Sequence, residues 1–417
     1  MKRVRAWSRT LGPGVITGAS DDDPSGIATY SQAGAITGFS TLWIMLLAYP
    51  MMATIQLASA EIGRVSGGGL AENMKKHYPK WVAFSIVALM LVANTVNIGA
   101  DVVAMGEASR LVFGGNAMVY SVLLTVASIV LMVWVPYRRY VFFLKWMTLA
   151  LFAYFGVLFF VHVPWSEVAR SIVVPTLELN TTFFTAIIAL LGTTISPYLF
   201  FWQASEEVEE EQDDPEAHPL RDAPSEAAGA LRRIKLDTLL GVAYANVAAM
   251  VIMIVAAVTL HHAGGSSIQT AAEAAQALRP LAGDAAFALF AIGIVGTGML
   301  ALPVLAGSAA FALAELFDFE RGLEKKPSQA KNFYSLIALI TIAGAILIFF
   351  GVNPIDALYW AAVVNGLVAV PIMAIMMLMG ANERVMSRFT LRPRVLVLGW
   401  ISTGVMLAAA VGLLVTL

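Results

Sequence analysis

The chain has no cysteine, and only 5 of its 417 residues are histidine. Disulfide frameworks and thiolate metal sites are thereby excluded. The adjacent pair His261 and His262 ends an apolar segment and reads as interfacial rather than as metal ligands. Charge is scarce too: 13% of residues are charged, against about a quarter in a soluble domain. A net charge of -2 leaves no basic surface for nucleic acid. The apolar segments hold no nucleophile and base pair and no metal-protease spacing, which disfavours an enzyme. No long soluble domain is evident, which disfavours a signalling or scaffold protein and gives no sign of an obligate protein partner. The basic start, Met1-Lys2-Arg3-Val4-Arg5, lacks a small-residue cleavage site and so reads as the flank of a first membrane span.

What the chain has in quantity is apolar sequence: 59% of residues are hydrophobic and the mean hydropathy is +0.77. Eleven segments have the ~17–25 residue length that crosses a bilayer: 8–36, 39–62, 80–108, 118–136, 143–163, 182–209, 233–260, 284–315, 332–352, 356–380 and 395–416. They are long, rich in Leu, Ala and Met and lack period-2 alternation, so the fold class is all-α integral membrane. With the N-terminus inside, 23 of the 26 Lys and Arg residues fall on the inner side, leaving Arg110, Arg170 and Arg279 outside. This asymmetry orients the chain with its N-terminus cytoplasmic and its C-terminus outside, and the membrane expected is the inner (plasma) membrane.

The stretch Gly18-Ala19-Ser20-Asp21-Asp22-Asp23-Pro24-Ser25-Gly26 places three carboxylates inside the first span. One charge at membrane depth costs about 2.5–3.5 kcal/mol on an insertion scale, so three need a reason. Pro24 has no N–H to give a helix and disfavours helical backbone at Asp23, while the flanking glycines ease the break. The alternative, a charged loop at the membrane surface, fits less well because apolar sequence continues on both sides. Backbone freed at membrane depth must face protein or a water-filled cavity. Carbonyl and carboxylate oxygens there suit a hard cation.

Five spans precede the sixth, so an inverted repeat would begin its second half with another broken helix. Gly192-Thr193-Thr194-Ile195-Ser196-Pro197-Tyr198 supplies it. The units expected are therefore 1–165 and 166–380, each of five helices, and one extra helix in 381–417. An acidic run from Glu206 to Asp214 and a polar loop to about 230 follow. They read either as a solvated helix end or as an anionic vestibule, with Glu206 and Glu207 nearest the membrane. Asn94, Asn97 and Asn365 face either a cavity or neighbouring helices, the latter being commoner. Gln56 and Glu61 read as packing or gate residues, and the Met373, Met376, Met377 and Met379 cluster as filler.

Leu11-Gly12-Pro13-Gly14, the two breaks and Asp101 in the third span together resemble the natural-resistance-associated macrophage protein (Nramp) family of divalent-metal transporters. The resemblance implies a LeuT-type fold of two inverted five-helix repeats plus one helix, alternating access, and a metal site between the breaks. Carried onto this sequence, it makes Asp23 the direct ligand, with the backbone carbonyls of Ser20 and Thr193 beside it. Three positions depart. The Asn of the family's Asp-Pro-Gly-Asn motif is Gly26, and the Met and His of its Met-Pro-His motif are Ser196 and Tyr198. Losing a thioether removes a preference for softer ions, and a roomier site suits Mg²⁺, which keeps several waters. The sequence is thus similar to the Nramp-related magnesium-transporter branch, implying Mg²⁺ and Mn²⁺ as substrates and no resident cofactor. Asp21, Asp22 and Asn365 could hold those waters in an outer sphere.

The family's proton route uses an Asp and a Glu three residues apart in the third span and an Arg in the ninth. Here Asp101 matches, the second position is Ala104, and 333–352 contains no Arg. Glu107, on the same helix face, is the available substitute. Uncoupled, voltage-driven uptake is expected. The alternatives are a proton-coupled Mn/Fe symporter and, on the same fold, an amino-acid or Na⁺-solute symporter.

Overall fold

A computed structural model of the chain describes residues 13–135, 148–177, 180–214, 217–261 and 268–416, and the described residues are helices and connecting turns. The first span is two helices, α1 (Pro13–Asp21) and α2 (Pro24–Thr37). Asp23 between them is extended, with φ -72° and ψ 174°, and Pro24 opens α2 where a helix lacks N–H partners anyway. There follow α3 (Leu42–Ser66), the short amphipathic α4 (Leu70–His77), α5 (Lys80–Phe113) and α6 (Ala117–Trp134). The sixth span repeats the device of the first. Its halves are α7 (Thr181–Thr194) and α8 (Pro197–Asp213), parted at Ser196 with φ -80° and ψ 132° and restarted by Pro197. The remaining long helices are α9 (Ala227–Thr259), α10 (Ala286–Phe317), α11 (Lys331–Ala345), α12 (Pro354–Gly380) and α13 (Pro393–Thr416).

Nine helices among the described residues are long and apolar enough to cross a membrane, with α7 and α8 together taken as one. The broken first span is not among them, because any 18-residue stretch across it takes in all three of Asp21, Asp22 and Asp23. The fifth expected span, 143–163, begins outside the described residues and continues as short turns at Thr148–Leu151 and Phe152–Val157. Arg138, Arg139, Lys145, His262 and the N-terminal basic residues also lie outside them. Some helices outrun the apolar segments that announced them. α9 starts at Ala227 rather than 233 because Arg232 and Arg233 cut the apolar segment there while the helix runs back through them into Ala227–Leu231.

The two broken spans are packed crosswise. α1 lies on α8 and α2 on α7, while α9 backs both halves of the first span and α12 crosses α7. Close approach is what the small residues provide. A Cβ on Gly18 would fall on the Gly241 carbonyl of α9, and one on Gly192 on the Ala362 carbonyl of α12. Asp237 of α9 accepts the Gly14 N–H at 2.6 Å, fixing the start of α1.

The end of the bundle that carries most of the Lys and Arg is tied by ion pairs. Buried Arg64 at the end of α3 reaches Glu211 at 2.8 Å, Glu226 at 2.9 Å and the His218 carbonyl at 2.6 Å. The loop beyond α8 adds backbone bonds from Leu220 to Arg64 and from Arg221 to Val65, both 3.2 Å. At the opposite end of α9, His261 meets the Ala35 carbonyl of α2 at 2.8 Å.

Candidate metal centre at the two helix breaks

Asp23 acts first as a helix cap. One carboxylate oxygen accepts from the Gly26 N–H and the Ser25 hydroxyl, both at 2.7 Å, satisfying donors that the first turn of α2 would otherwise leave open. The second oxygen faces the middle of the molecule, where Asn97 of α5 and the Tyr198 hydroxyl of α8 each donate at 3.2 Å. Tyr198 also reaches the Ser20 carbonyl at 3.3 Å, so one phenol joins the end of α1 to Asp23. Ser25 and Thr193 hydroxyls lie 3.5 Å apart, and those of Tyr30 and Thr194 3.3 Å apart, closing the two breaks on each other.

All of these groups are buried, as are Asp21 and Asp22. Neither of those two carboxylates has a hydrogen-bond partner among the described residues. Asp21 lies within electrostatic reach of Tyr30 and Tyr198, and Asp22 of Tyr244. Buried acids ordinarily find partners, so four bare carboxylate oxygens beside Asp23 are the oddity of this centre. No three His, Cys, Asp or Glu among the described residues converge on one point as a chelating cluster. The oxygens gathered at the breaks are the Asp23 carboxylate and the Ser20 and Thr193 carbonyls, with the Asp21 and Asp22 carboxylates buried beside them.

The remaining sequence-derived candidates fall in different places. The Ser196 hydroxyl turns back onto α7, donating to the Gly192 and Thr193 carbonyls at 2.8 Å each. Gly26 contributes only its N–H, and a Cβ there would stand 3.1 Å from the Asp21 carbonyl. Asp101 is buried beside the Ser25 backbone N–H and the Asp23 charge. Asn365, with an amide that has no partner, adjoins Gly366, which touches the end of α7 at Gly192.

Two expectations need correcting. Glu107 does not extend Asp101 inward: it pairs with Arg110 at 2.7 Å and is partly exposed. Glu207 lines no vestibule: it is fully buried and bonded at 2.5 Å to Arg233, a partner that folding supplies from α9. The acids of that helix that do border a cavity are Glu209 and Asp213, with Glu324 opposite, around a space of about 330 Å³ also lined by Arg321 and Lys325. Glu206 is half-buried and does not line it.

Asn97 is the site residue that sequence reasoning valued too low. It stands four positions before Asp101 in α5, so the two share a helix face, and that spacing was the available signal. Asn94 bonds to neighbours instead, to the Leu305 carbonyl and Ser308 hydroxyl of α10 at 2.9 Å.

Comparison with known proteins bears on the family and the fold. The profile described as "Natural resistance-associated macrophage protein-like" (Nramp) matches residues 14–416. The divalent metal cation transporter MntH of Yersinia enterocolitica is 27% identical over 300 residues, 69% of this chain and 68% of that one. Among solved structures, the Eremococcus coleocola manganese transporter superposes with a TM-score of 0.74 at 17% identity, covering 98% of this chain and 87% of the other. Mhp1, a nucleobase-cation-symport-1 family transporter, superposes at 0.60 with 13% identity, covering 97% and 91%. The last two share the fold alone, an all-helical LeuT-type arrangement. With its family profile matched from Gly14 to Thr416, the chain belongs to the Nramp family.

Proposed function

We propose that the chain carries divalent metal cations across the inner membrane by alternating access, with Mg²⁺ and Mn²⁺ preferred and no coupled proton. The observation that carries this reading is the pair Asp21 and Asp22, buried and unpartnered next to a capped and oriented Asp23. So much buried negative charge calls for a cation. Bare oxygens set back from Asp23 suit the waters of an ion that resists dehydration. The Ser196 hydroxyl offers no soft donor. A divalent metal is also what the names of the Yersinia and Eremococcus relatives specify.

Uncoupled transport is favoured by Ala104, by the absence of Arg from 333–352 and by the engagement of Glu107 with Arg110. The membrane potential alone gives a divalent ion about 4.6 kcal/mol per 100 mV, twice the single-charge value. A proton-coupled reading has one observation in its favour, the buried carboxylate of Asp101 beside Asp23. The Lys- and Arg-rich end of the bundle is taken as cytoplasmic, with the units 1–165, 166–380 and 381–417 as drawn above.

Proteoliposomes under an imposed K⁺ diffusion potential test these points together. Voltage-driven Mg²⁺ and Mn²⁺ influx is expected, with no acidification of a trapped pH dye. Metal-dependent acidification would install the proton-coupled alternative, and absence of both metal fluxes would end the proposal.

A further inference from the structure

A second charged cavity lies well away from the helix breaks. It has a volume of about 290 Å³ and is lined by Ala227, Ala228, Leu231, Arg232 and Lys235 of α9 and by Arg392 just before α13. Among the described residues none of the three cations forms an ion pair or hydrogen bond, and all three are exposed. The acid near them is Glu61 of α3, within electrostatic reach of Arg392 and Lys235 but not paired with either. The three cations that line the pocket are therefore left without a paired carboxylate.

Its surroundings identify the anion. On α9 the exposed face runs on from Arg232 and Lys235 into Leu236 (51% exposed), Leu240 (61%) and Val247 (48%). On α13 it runs from Arg392 into Val397 (58%) and Ile401 (53%). Both helices are membrane-crossing candidates and both pack on α3. A ligand here would have a charged head among the cations and apolar tails along two greasy helix faces. Basic pockets between membrane helices bind phosphate headgroups in this way.

We infer that Arg232, Lys235 and Arg392 form a binding site for the phosphate headgroup of an anionic phospholipid, bridging α9 and the start of α13. Each cation contributes roughly a fivefold gain for an anionic headgroup, so three together contribute on the order of a hundredfold.

Spin-labelled phosphatidylglycerol in phosphatidylcholine nanodiscs holding the full chain provides the probe. The wild type should show a motionally restricted lipid fraction that R232Q/K235Q/R392Q loses. R384Q/R388Q/R394Q, with the same change in net charge outside the pocket, should keep it. Glu61→Gln should enlarge that fraction, which tests the pocket in a variant that leaves the three cations in place. Equal loss in both triple variants, or no loss in either, overturns the assignment. Displacement of the label by inorganic phosphate assigns the pocket to a free phosphate and overturns the lipid source. Neither metal flux nor its proton coupling enters this readout, so the inference stands or falls apart from the proposed transport.

Discussion

Asp23 performs two jobs that one substitution can separate. Its first oxygen caps α2 through two 2.7 Å bonds, and an asparagine carbonyl caps as well as a carboxylate does. Its second oxygen carries the charge that a cation would feel. Asp23→Asn should keep the cap, because Asn97 Oδ1, which has no partner, can accept from the new amide once its own side chain flips. Asp23→Ala loses the cap as well, at a cost of about 1 kcal/mol. The loss of charge is a far larger effect. At about 4 Å and an effective dielectric near 20, a divalent ion and a carboxylate attract by roughly 8 kcal/mol, twice the single-charge figure. If solvation offsets half of that, affinity still falls on the order of a thousandfold. The assay is Mn²⁺ uptake into proteoliposomes at fixed voltage, paired with thermal unfolding of the same preparations. The expected result is an Asn variant as stable as wild type and without uptake, and an Ala variant without uptake and less stable. Uptake by Asp23→Asn within a few fold of wild type would refute the ligand role, and unfolding of both variants alike would refute the cap argument.

Ser196→Met reinstates a thioether and should move competition in favour of Cd²⁺ and Mn²⁺ over Mg²⁺, read by metal-competition uptake. Gly18→Ala must push α1 off the Gly241 carbonyl, an overpacking cost of about 1–3 kcal/mol, visible as a lower unfolding temperature. Arg64→Gln strands buried Glu211, whose side chain is 5% exposed, and should cost about 3–5 kcal/mol in detergent unfolding. The Glu72 carboxyl of α4 is pushed up by burial, yet Lys76 and Arg321 together hold it below its ordinary 4.5. A depressed native value means a contribution fully present above about pH 4.5 that is lost as pH falls through the lower native value. Wild type should therefore lose stability on acidification more steeply than Glu72→Gln.

The two breaks were legible in the sequence because each is announced by a proline within apolar sequence, a local signal that needs no tertiary knowledge. Burial of all three acids followed from the same continuity. The partners were less legible. Tyr198 and Asn97 reach Asp23 from α8 and α5, across 175 and 74 positions of chain, and only the shared face of Asn97 and Asp101 hinted at it. The acidic run after the sixth span shows the limit most plainly. Distance from the membrane favoured Glu206 and Glu207, whereas the deciding fact was Arg233 on a neighbouring helix, which claims Glu207 and leaves the cavity to Glu209 and Asp213. Helix starts were misplaced for a related reason, since the apolar segment is cut by Arg232 and Arg233 while α9 runs through both from Ala227.

The crosswise stacking of the half-helices has an electrostatic consequence. Two peptide-dipole tails, at Asp21 and Thr194, point into the gap, while two dipole heads, at Pro24 and Pro197, point in from the other halves. One head is already neutralised, because the Asp23 carboxylate sits on it. Positive charge is thus welcomed at the tails, and at the α2 head an incoming organic anion would meet the protein's own acid. The polarity of the cargo is written into the backbone before any metal ligand is chosen.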